Sequence, residues 1–327
     1  MARAGADVTV LESERRPGGV IVTERRDRFV VEGGPDGFLA TEPEIPALAA
    51  EPGIADRIVA QQVRGTSRWT GKRFEPLEEG RAAELLGIET RTSDLAAGFR
   101  TFNGGMEELI TALAERLPLA LGQGVAGIAP RDQGWRVWLT EDSAHDADGL
   151  VLAVPAYTAS RWLNQIGVQG ADKLAEVVYA PSLTVSLAYR ADQISRPLEG
   201  TGFVGSAPLR ACTYASSKFA GRAPDGHVLL RAFLAPTRED AATLAHAQLA
   251  AILKIRGEPL WSRVFHWTRG LPRYPERYAV HLTALRDRLA RLAPLTIAGA
   301  GYDGAGVSAC VRSGREAARM LLGRLGS

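Results

Sequence analysis

The segment from Leu295 to Leu325 restricts this chain more than any other. It opens with the apolar run Leu295–Ala300 (LTIAGA), passes through the small-residue turn Gly301–Val307, and continues as a helical pattern over Val311–Leu325. A short continuous apolar run of this kind reads as a strand buried in a parallel sheet. A helix that starts directly after a glycine-rich turn offers unsatisfied N–H groups and the positive end of its dipole. Such a start receives an anion or the electron-rich edge of a flat heterocycle. A packed turn with no ligand would also use some of these glycines, although the density exceeds what packing alone asks for.

The beginning of the chain carries a matching half. Ala6–Glu12 (ADVTVLE) reads as a buried strand ending in an acid, and Met1–Gly5 before it as the last turn of a helix stopped by Gly5. In a dinucleotide-binding fold, a carboxylate at this strand end accepts the ribose hydroxyls of the adenosine half. Arg16-Pro17-Gly18-Gly19 follows, where two glycines let a backbone pass close to a ligand. Ile21–Arg25 and Phe29–Glu32 alternate like an edge hairpin and lead into the loop Gly33–Gly37 (GGPDG). That loop is either an ordinary surface turn or a backbone surface lying against a flat ring.

Further along, Pro43–Ala50, Glu78–Leu86 and Gly104–Leu117 read as helices. In the last of these, Met106, Leu109, Ile110 and Leu113 share a face. Gly65–Pro76 reads as a hairpin turning at Gly71-Lys72, Gly134–Thr140 as an alternating strand, and Gly149–Pro155 as another buried parallel strand. From about Tyr157 the texture changes. Strands at Ser182–Tyr189, Ala211–Ser216 and His227–Phe233, with a helix near Asp240–Leu253, indicate a second domain on a mixed sheet. Ala6–Glu12, Leu150–Pro155 and Leu295–Ala300 are expected side by side in one parallel sheet. Trp267–Tyr278 (WTRGLPRYPERY) is an aromatic and arginine cluster that reads equally as a substrate-facing wall or a domain seam.

Composition removes several classes of function. The 327 residues are 46% hydrophobic and 23% charged, as in a globular protein. A net charge of +2 gives no reason to expect nucleic acid as a partner. The five histidines show no metal-ligand spacing, and Cys212 and Cys310 form no CxxC, so a metal is not expected and a reducing cytoplasm suits the chain. No apolar run approaches the ~18 residues of a membrane span, and no signal peptide opens the chain.

Taken together, these segments resemble the protoporphyrinogen and coproporphyrinogen oxidase family of flavoproteins. Leu295–Ala318 is similar to its C-terminal flavin motif, and Val8–Phe38 to its N-terminal continuation. Phe99–Met106 (FRTFNGGM), Ala215–Leu230 (ASSKFAGRAPDGHVLL) and His266–Tyr274 (HWTRGLPRY) match in collinear order. The resemblance implies an α/β fold: a Rossmann-like FAD-binding domain (1–64, 99–155 and 271–327), a shortened helical insert (65–98) and an inserted α+β substrate domain (156–270). It implies non-covalent FAD. Glu12 would hold the adenosine ribose, Val125 the adenine through its backbone, and Val20 the flavin side of the first loop. Gly34, Pro35, Asp36 and Gly37 would line the isoalloxazine, and Ala300, Ala305, Gly306 and Val307 its pyrimidine and ribityl end. Arg68 would pair with a substrate propionate.

The implied reaction removes three pairs of electrons from a porphyrinogen, with hydride passing to flavin N5 and O2 reoxidising the flavin, a step of haem biosynthesis. No residue is nominated as a general base. The pattern departs from the family in two places. The chain opens after the strand-GxGxxG-helix segment that cradles the FAD diphosphate, from which weak FAD retention is expected, and the stretch from Gly65 to Gly98 is short where the family carries a long helical insert. That insert supplies any peripheral membrane contact, so such contact is expected to be weakened. Two other readings stand beside the enzyme: a non-catalytic remnant that has lost FAD, and a different flavin amine oxidase. Against the latter, the segment before the C-terminal motif offers Tyr274 and Tyr278 rather than a paired aromatic sandwich.

Overall fold

Glycine and proline punctuation divides the chain into short strands that pack as two compact units. The computed structural model describes residues 1–78, 81–85 and 92–326. One unit gathers Met1–Gly19, Ile110–Ala180 and Leu271–Ser327; the other gathers Val20–Leu109 and Pro181–Gly270. Packing thus places residues 20–64 and 99–109 with 181–270, and residues 156–180 with the chain termini.

In the first unit, Val10–Glu12 pairs in parallel with Leu119–Leu121, and Leu150–Leu152 in parallel with Leu295–Ile297. The second pairing is the one the apolar runs announced. The first is not: the expected single sheet is replaced by two separate parallel pairs, and the strand at Ala6–Glu12 is regular only from Val10. Leu119–Leu121, too short to show alternation, supplies the hydrogen bonds that Val10–Glu12 was expected to draw from Leu150 or Leu295. Trp135–Leu139 lies between Val125–Pro130 and Ala144–Ala147 in a three-stranded antiparallel sheet. Its WRVWL sequence alternates as a half-buried strand should: Trp135, Val137 and Leu139 enter the core, while Arg136 pairs outward with Asp146 at 2.8 Å. The core also takes Leu163 and Trp162 of Ala156–Gln165 and Leu282, Leu285 and Leu289 of Tyr278–Leu289.

The second unit is built on a seven-stranded sheet. In order across it run Trp261–Arg273, Val178–Arg190, His227–Leu234, Leu209–Tyr214, Gly202–Val204, Thr66–Trp69 and Phe74–Leu77. Val185, Leu187 and Tyr189 alternate with Ser186 and Ala188, so one face packs against the helix Ala241–Leu253. That helix starts where the sequence indicated, with Asp240 accepting the Thr243 N–H at 2.8 Å. The opposite face packs Ala188, Leu229, Trp261 and Phe265 against Phe29 and Val31 of the hairpin Thr23–Arg26 and Phe29–Glu32.

Packing adds to two of the sequence readings and corrects a third. Trp261–Arg273 is a 13-residue strand that takes in much of the aromatic cluster, because burial of Trp261 and Phe265 on one side overrides its irregular pattern. The hairpin expected near Gly65 forms, Thr66–Trp69 pairing antiparallel with Phe74–Leu77, and it joins the larger sheet where Ser67 and Arg68 align in parallel with Phe203 and Val204. The C-terminal helix starts at Val307, before the expected Val311, because small residues there permit helical geometry directly after Gly306. Of the helix expected over Glu78–Leu86, Arg81–Leu85 is helical; positions 79, 80 and 86 lie outside the described residues. Among the described residues no helix is long and apolar enough to cross a membrane.

Candidate functional site

In the first unit the turn after Leu295–Ile297 is held at every step. The Gly299 N–H donates to Ser313 Oγ at 3.0 Å. The Tyr274 hydroxyl donates to the Ala300 carbonyl at 2.5 Å and the Tyr278 hydroxyl to the Gly301 carbonyl at 2.6 Å. Tyr302 turns inward and donates to the Val154 carbonyl at 2.8 Å. Asp303 accepts both from Ser313 and from Arg286, the latter at 2.6 and 2.8 Å. Burial holds the Tyr278 and Tyr302 hydroxyls far above their usual pKa and pushes Tyr274 up to about 12, so all three remain donors at any working pH.

This turn delivers the start of a 19-residue helix. Its N-cap is Gly306, which has no side chain to satisfy the first amides. Gly299 and Gly304 have φ of 111° and 121°, and a Cβ on Gly301 would meet the Tyr179 hydroxyl at 2.7 Å, so each is glycine for an internal reason. Gly306 is different. Its φ is −70°, and a Cβ there would meet nothing within 4 Å. Ser, Thr or Asp would cap the helix better. Glycine at 306 keeps the helix start bare, next to Ser308, whose buried Oγ has no hydrogen-bond partner. A bare amide end with an orphaned hydroxyl fits the polar edge of a flavin.

The same unit contains the two expected adenosine contacts, Glu12 and Val125. Glu12 closes its strand and is only partly buried. One of its carboxylate oxygens accepts the Glu14 N–H at 2.9 Å and the Ser13 hydroxyl at 3.2 Å. Val125 opens a strand whose register with Trp135–Leu139 slips between Val125 and Gly127, and a bulge of this kind leaves backbone groups outside the ladder. Ala300, Ala305 and Val307 lie on the turn and helix start already described. Sequence reading missed Tyr274, Tyr278 and Ser313 as holders of this turn. The Tyr274–Tyr278 spacing within the aromatic and arginine cluster gave no sign that both hydroxyls point at successive carbonyls.

In the second unit the loop Gly33–Gly37 is packed from several sides. A Cβ on Gly34 would lie 1.8 Å from the Val20 carbonyl oxygen, one on Gly33 would meet the Phe265 ring at 2.5 Å, and one on Gly37 the Arg100 carbonyl oxygen at 2.5 Å. Protein packing therefore accounts for these glycines, and it brings Val20 against Gly34. The Trp267 indole donates to the Gly33 carbonyl at 2.7 Å. Asp36 receives the Lys218 ammonium at 2.9 Å. Burial alone would raise the Asp36 pKa, but Lys218 first, then Arg231 and Arg222, outweigh it and hold the carboxyl below the usual range. Glu32, more deeply buried, goes the other way: loss of hydration raises its pKa despite Arg222 at 3.4 Å. Arg68 lies in Thr66–Trp69 with its side chain exposed, and its guanidinium makes no ion pair or hydrogen bond with a described residue.

Comparison with known proteins gives this arrangement its setting. The sequence pattern of flavin containing amine oxidoreductases matches residues 1–87 and 69–322, the two stretches overlapping where the insert looked short. A coproporphyrinogen III oxidase of Propionibacterium freudenreichii subsp. freudenreichii is 28% identical over 238 residues, covering 68% of this chain and 45% of that protein. A bovine protoporphyrinogen oxidase is 28% identical over 255 residues, covering 68% of this chain and 51% of that protein. The chain thus spans about half the length of these curated relatives. A solved structure from Exiguobacterium sp. 255-15, assigned as a protoporphyrinogen oxidase, superposes with a TM-score of 0.81 at 21% identity, covering 98% of this chain and 93% of that one. The matched pattern covers nearly every residue that builds the turn and the loop, and the chain belongs to the flavin-containing amine oxidoreductase family.

Proposed function

We propose that this protein is an FAD-dependent oxidase that converts a porphyrinogen, coproporphyrinogen III or protoporphyrinogen IX, to the porphyrin in haem biosynthesis. The observation that carries the reading is the rigid turn Gly299–Gly306. It ends on an uncapped helix start beside an orphaned Ser308 hydroxyl, in a chain whose curated relatives are named as porphyrinogen oxidases. FAD would supply the two-electron acceptor and its renewal by O2. The protein's share is to bind and orient. Glu12 and the backbone of Val125 would hold the adenosine half. Ala300, Ala305, Gly306 and Val307 would meet the pyrimidine and ribityl end, and Val20 with Gly34, Pro35, Asp36 and Gly37 would lie along the ring. The unpaired Arg68 guanidinium suits a propionate, which it can hold in bidentate fashion. The assignment of the ring-binding and substrate domains along the chain, a cytoplasmic location and peripheral membrane contact belong to the same reading.

The test is direct. The purified chain is titrated with FAD and followed by visible absorbance, then exposed anaerobically to each porphyrinogen. Bleaching of the flavin band, followed on admission of O2 by its return and by the growth of porphyrin fluorescence as the three electron pairs are removed in turn, supports the reading, and the faster substrate names the oxidase. A protein that takes up FAD but is not bleached by either porphyrinogen is a different member of the family. One that takes up no FAD is the non-catalytic remnant.

A further inference from the structure

The described residues hold a buried group of charges of which the proposed chemistry uses Asp36 alone. Glu32, Lys218, Arg222 and Arg231 are each more than nine-tenths buried, and Asp36 joins them from the loop Gly33–Gly37. Lys218 ends the short helix Ala215–Lys218. Its ammonium lies 4.6 Å from the centre of the Phe99 ring and 5.1 Å from that of Phe219 while donating to Asp36. Arg222 donates to the Asn103 and Phe102 carbonyls and the Thr101 hydroxyl, and faces Glu32. Glu32 in turn accepts from the Met106 N–H and the Thr23 hydroxyl. Arg231 stacks on Phe233 at 5.0 Å, and its Nε is buried without a partner.

The group encloses too little space to be a ligand site. The cavity lined by Glu32, Asp36, Ser186, Arg222 and Arg231 measures about 10 Å3, room for about one water. Nor does stability explain it, because a buried ion pair is often no better than apolar side chains of the same shape. What the group does is fix a position. Of its acids, Asp36 alone lies inside the loop, and cations on two different elements converge on it, Lys218 by direct contact and Arg231 through its field.

We propose that Lys218 is a positioning residue: its ammonium, seated over the Phe99 and Phe219 rings, grips the Asp36 carboxylate and so sets the height of the Gly34–Gly37 backbone on which a flavin ring would lie. The inference rests on the flavin reading above for its consequence, and on the loop itself for its test. Hydrogen exchange is measured on the flavin-free wild type and on Lys218→Met, Lys218→Arg and Asp36→Asn, following peptides across residues 33–37. Lys218→Met and Asp36→Asn are expected to speed exchange there by at least about tenfold, and Lys218→Arg to restore it. Leu150–Leu152 and Leu295–Ile297 should be unchanged. Unchanged exchange over residues 33–37 in Lys218→Met overturns the proposal. So does a rise spread evenly over the whole second unit, which would mark Lys218 as a mere prop. FAD affinity then tests the consequence: it should fall about tenfold in Lys218→Met and return in Lys218→Arg, and equal affinity in all variants overturns it. If the wild type itself takes up no FAD, the flavin reading fails, while the exchange result still decides the clamp.

Discussion

Tyr274 and Tyr278 stack on one another with ring centres 5.3 Å apart and planes 14° apart, and their hydroxyls reach the consecutive carbonyls of Ala300 and Gly301. The pair is therefore a two-pronged support beneath the glycine-rich turn, and its hydroxyls are already engaged.

Removing either prong should loosen the turn. Tyr278→Phe leaves the Gly301 carbonyl without its donor. A buried acceptor left unpaired costs about 1–3 kcal/mol. Urea unfolding should show a loss of that size for Tyr278→Phe and a smaller one for Tyr274→Phe, whose surroundings are less buried. Wild-type stability in both variants would mean that the hydroxyls do not hold the turn.

Gly306→Val and Gly34→Ala should separate ligand room from protein packing. At Gly306 the backbone suits any residue and the space is open, so stability should change by no more than about 1 kcal/mol, the scale of an altered N-cap. FAD uptake, read as the flavin absorbance of the protein, should be lost. At Gly34 the added Cβ meets a backbone oxygen, and stability should fall by about 3 kcal/mol or more, as for a clash that forces the backbone to move. Full flavin occupancy in Gly306→Val would show that the space over the helix start serves no ring.

Arg68→Ala should act on substrate alone. The side chain is exposed and unpaired, so stability should stay within about 0.5 kcal/mol of wild type. The KM for a porphyrinogen should rise more than kcat falls, because a propionate contact is made equally in ground and transition states. A variant changed only in kcat would remove Arg68 from the binding role.

The Asp36 ion pair predicts a pH signature. The folded pKa of Asp36 lies below its usual value, so its contribution to stability is fully present above about pH 4, the unfolded value, and is lost as pH falls through the folded pKa. Asp36→Asn lacks that contribution. The gap in urea midpoint between wild type and Asp36→Asn should therefore be constant from pH 7 down to about pH 4 and shrink as the pH falls from there to 3. A gap that stays constant down to pH 3 would mean the carboxylate is not held in its charged form.

Much of the local structure was legible in the chain itself. Apolar runs announced Leu150–Leu152 and Leu295–Ile297, alternation announced Trp135–Leu139, and Asp240 announced the helix it caps. These signals depend on neighbours in sequence, and the physics that sets them (period, capping, punctuation) is local. The collinear motifs named the family for the same reason, since a turn of small residues before a helix is written in consecutive letters.

What the tertiary structure decided was which groups meet across sequence distance. Leu119–Leu121 carries no pattern of its own and becomes a strand only because Val10–Glu12 needs a partner. Trp261–Arg273 is a strand because Trp261 and Phe265 are buried against Phe29 and Gly33, more than 200 positions away. The hydroxyls of Tyr274 and Tyr278, and the capture of Asp36 by Lys218, follow the same rule. A buried carbonyl or carboxylate must find a donor, and only the fold determines which of the chain's many donors is within reach.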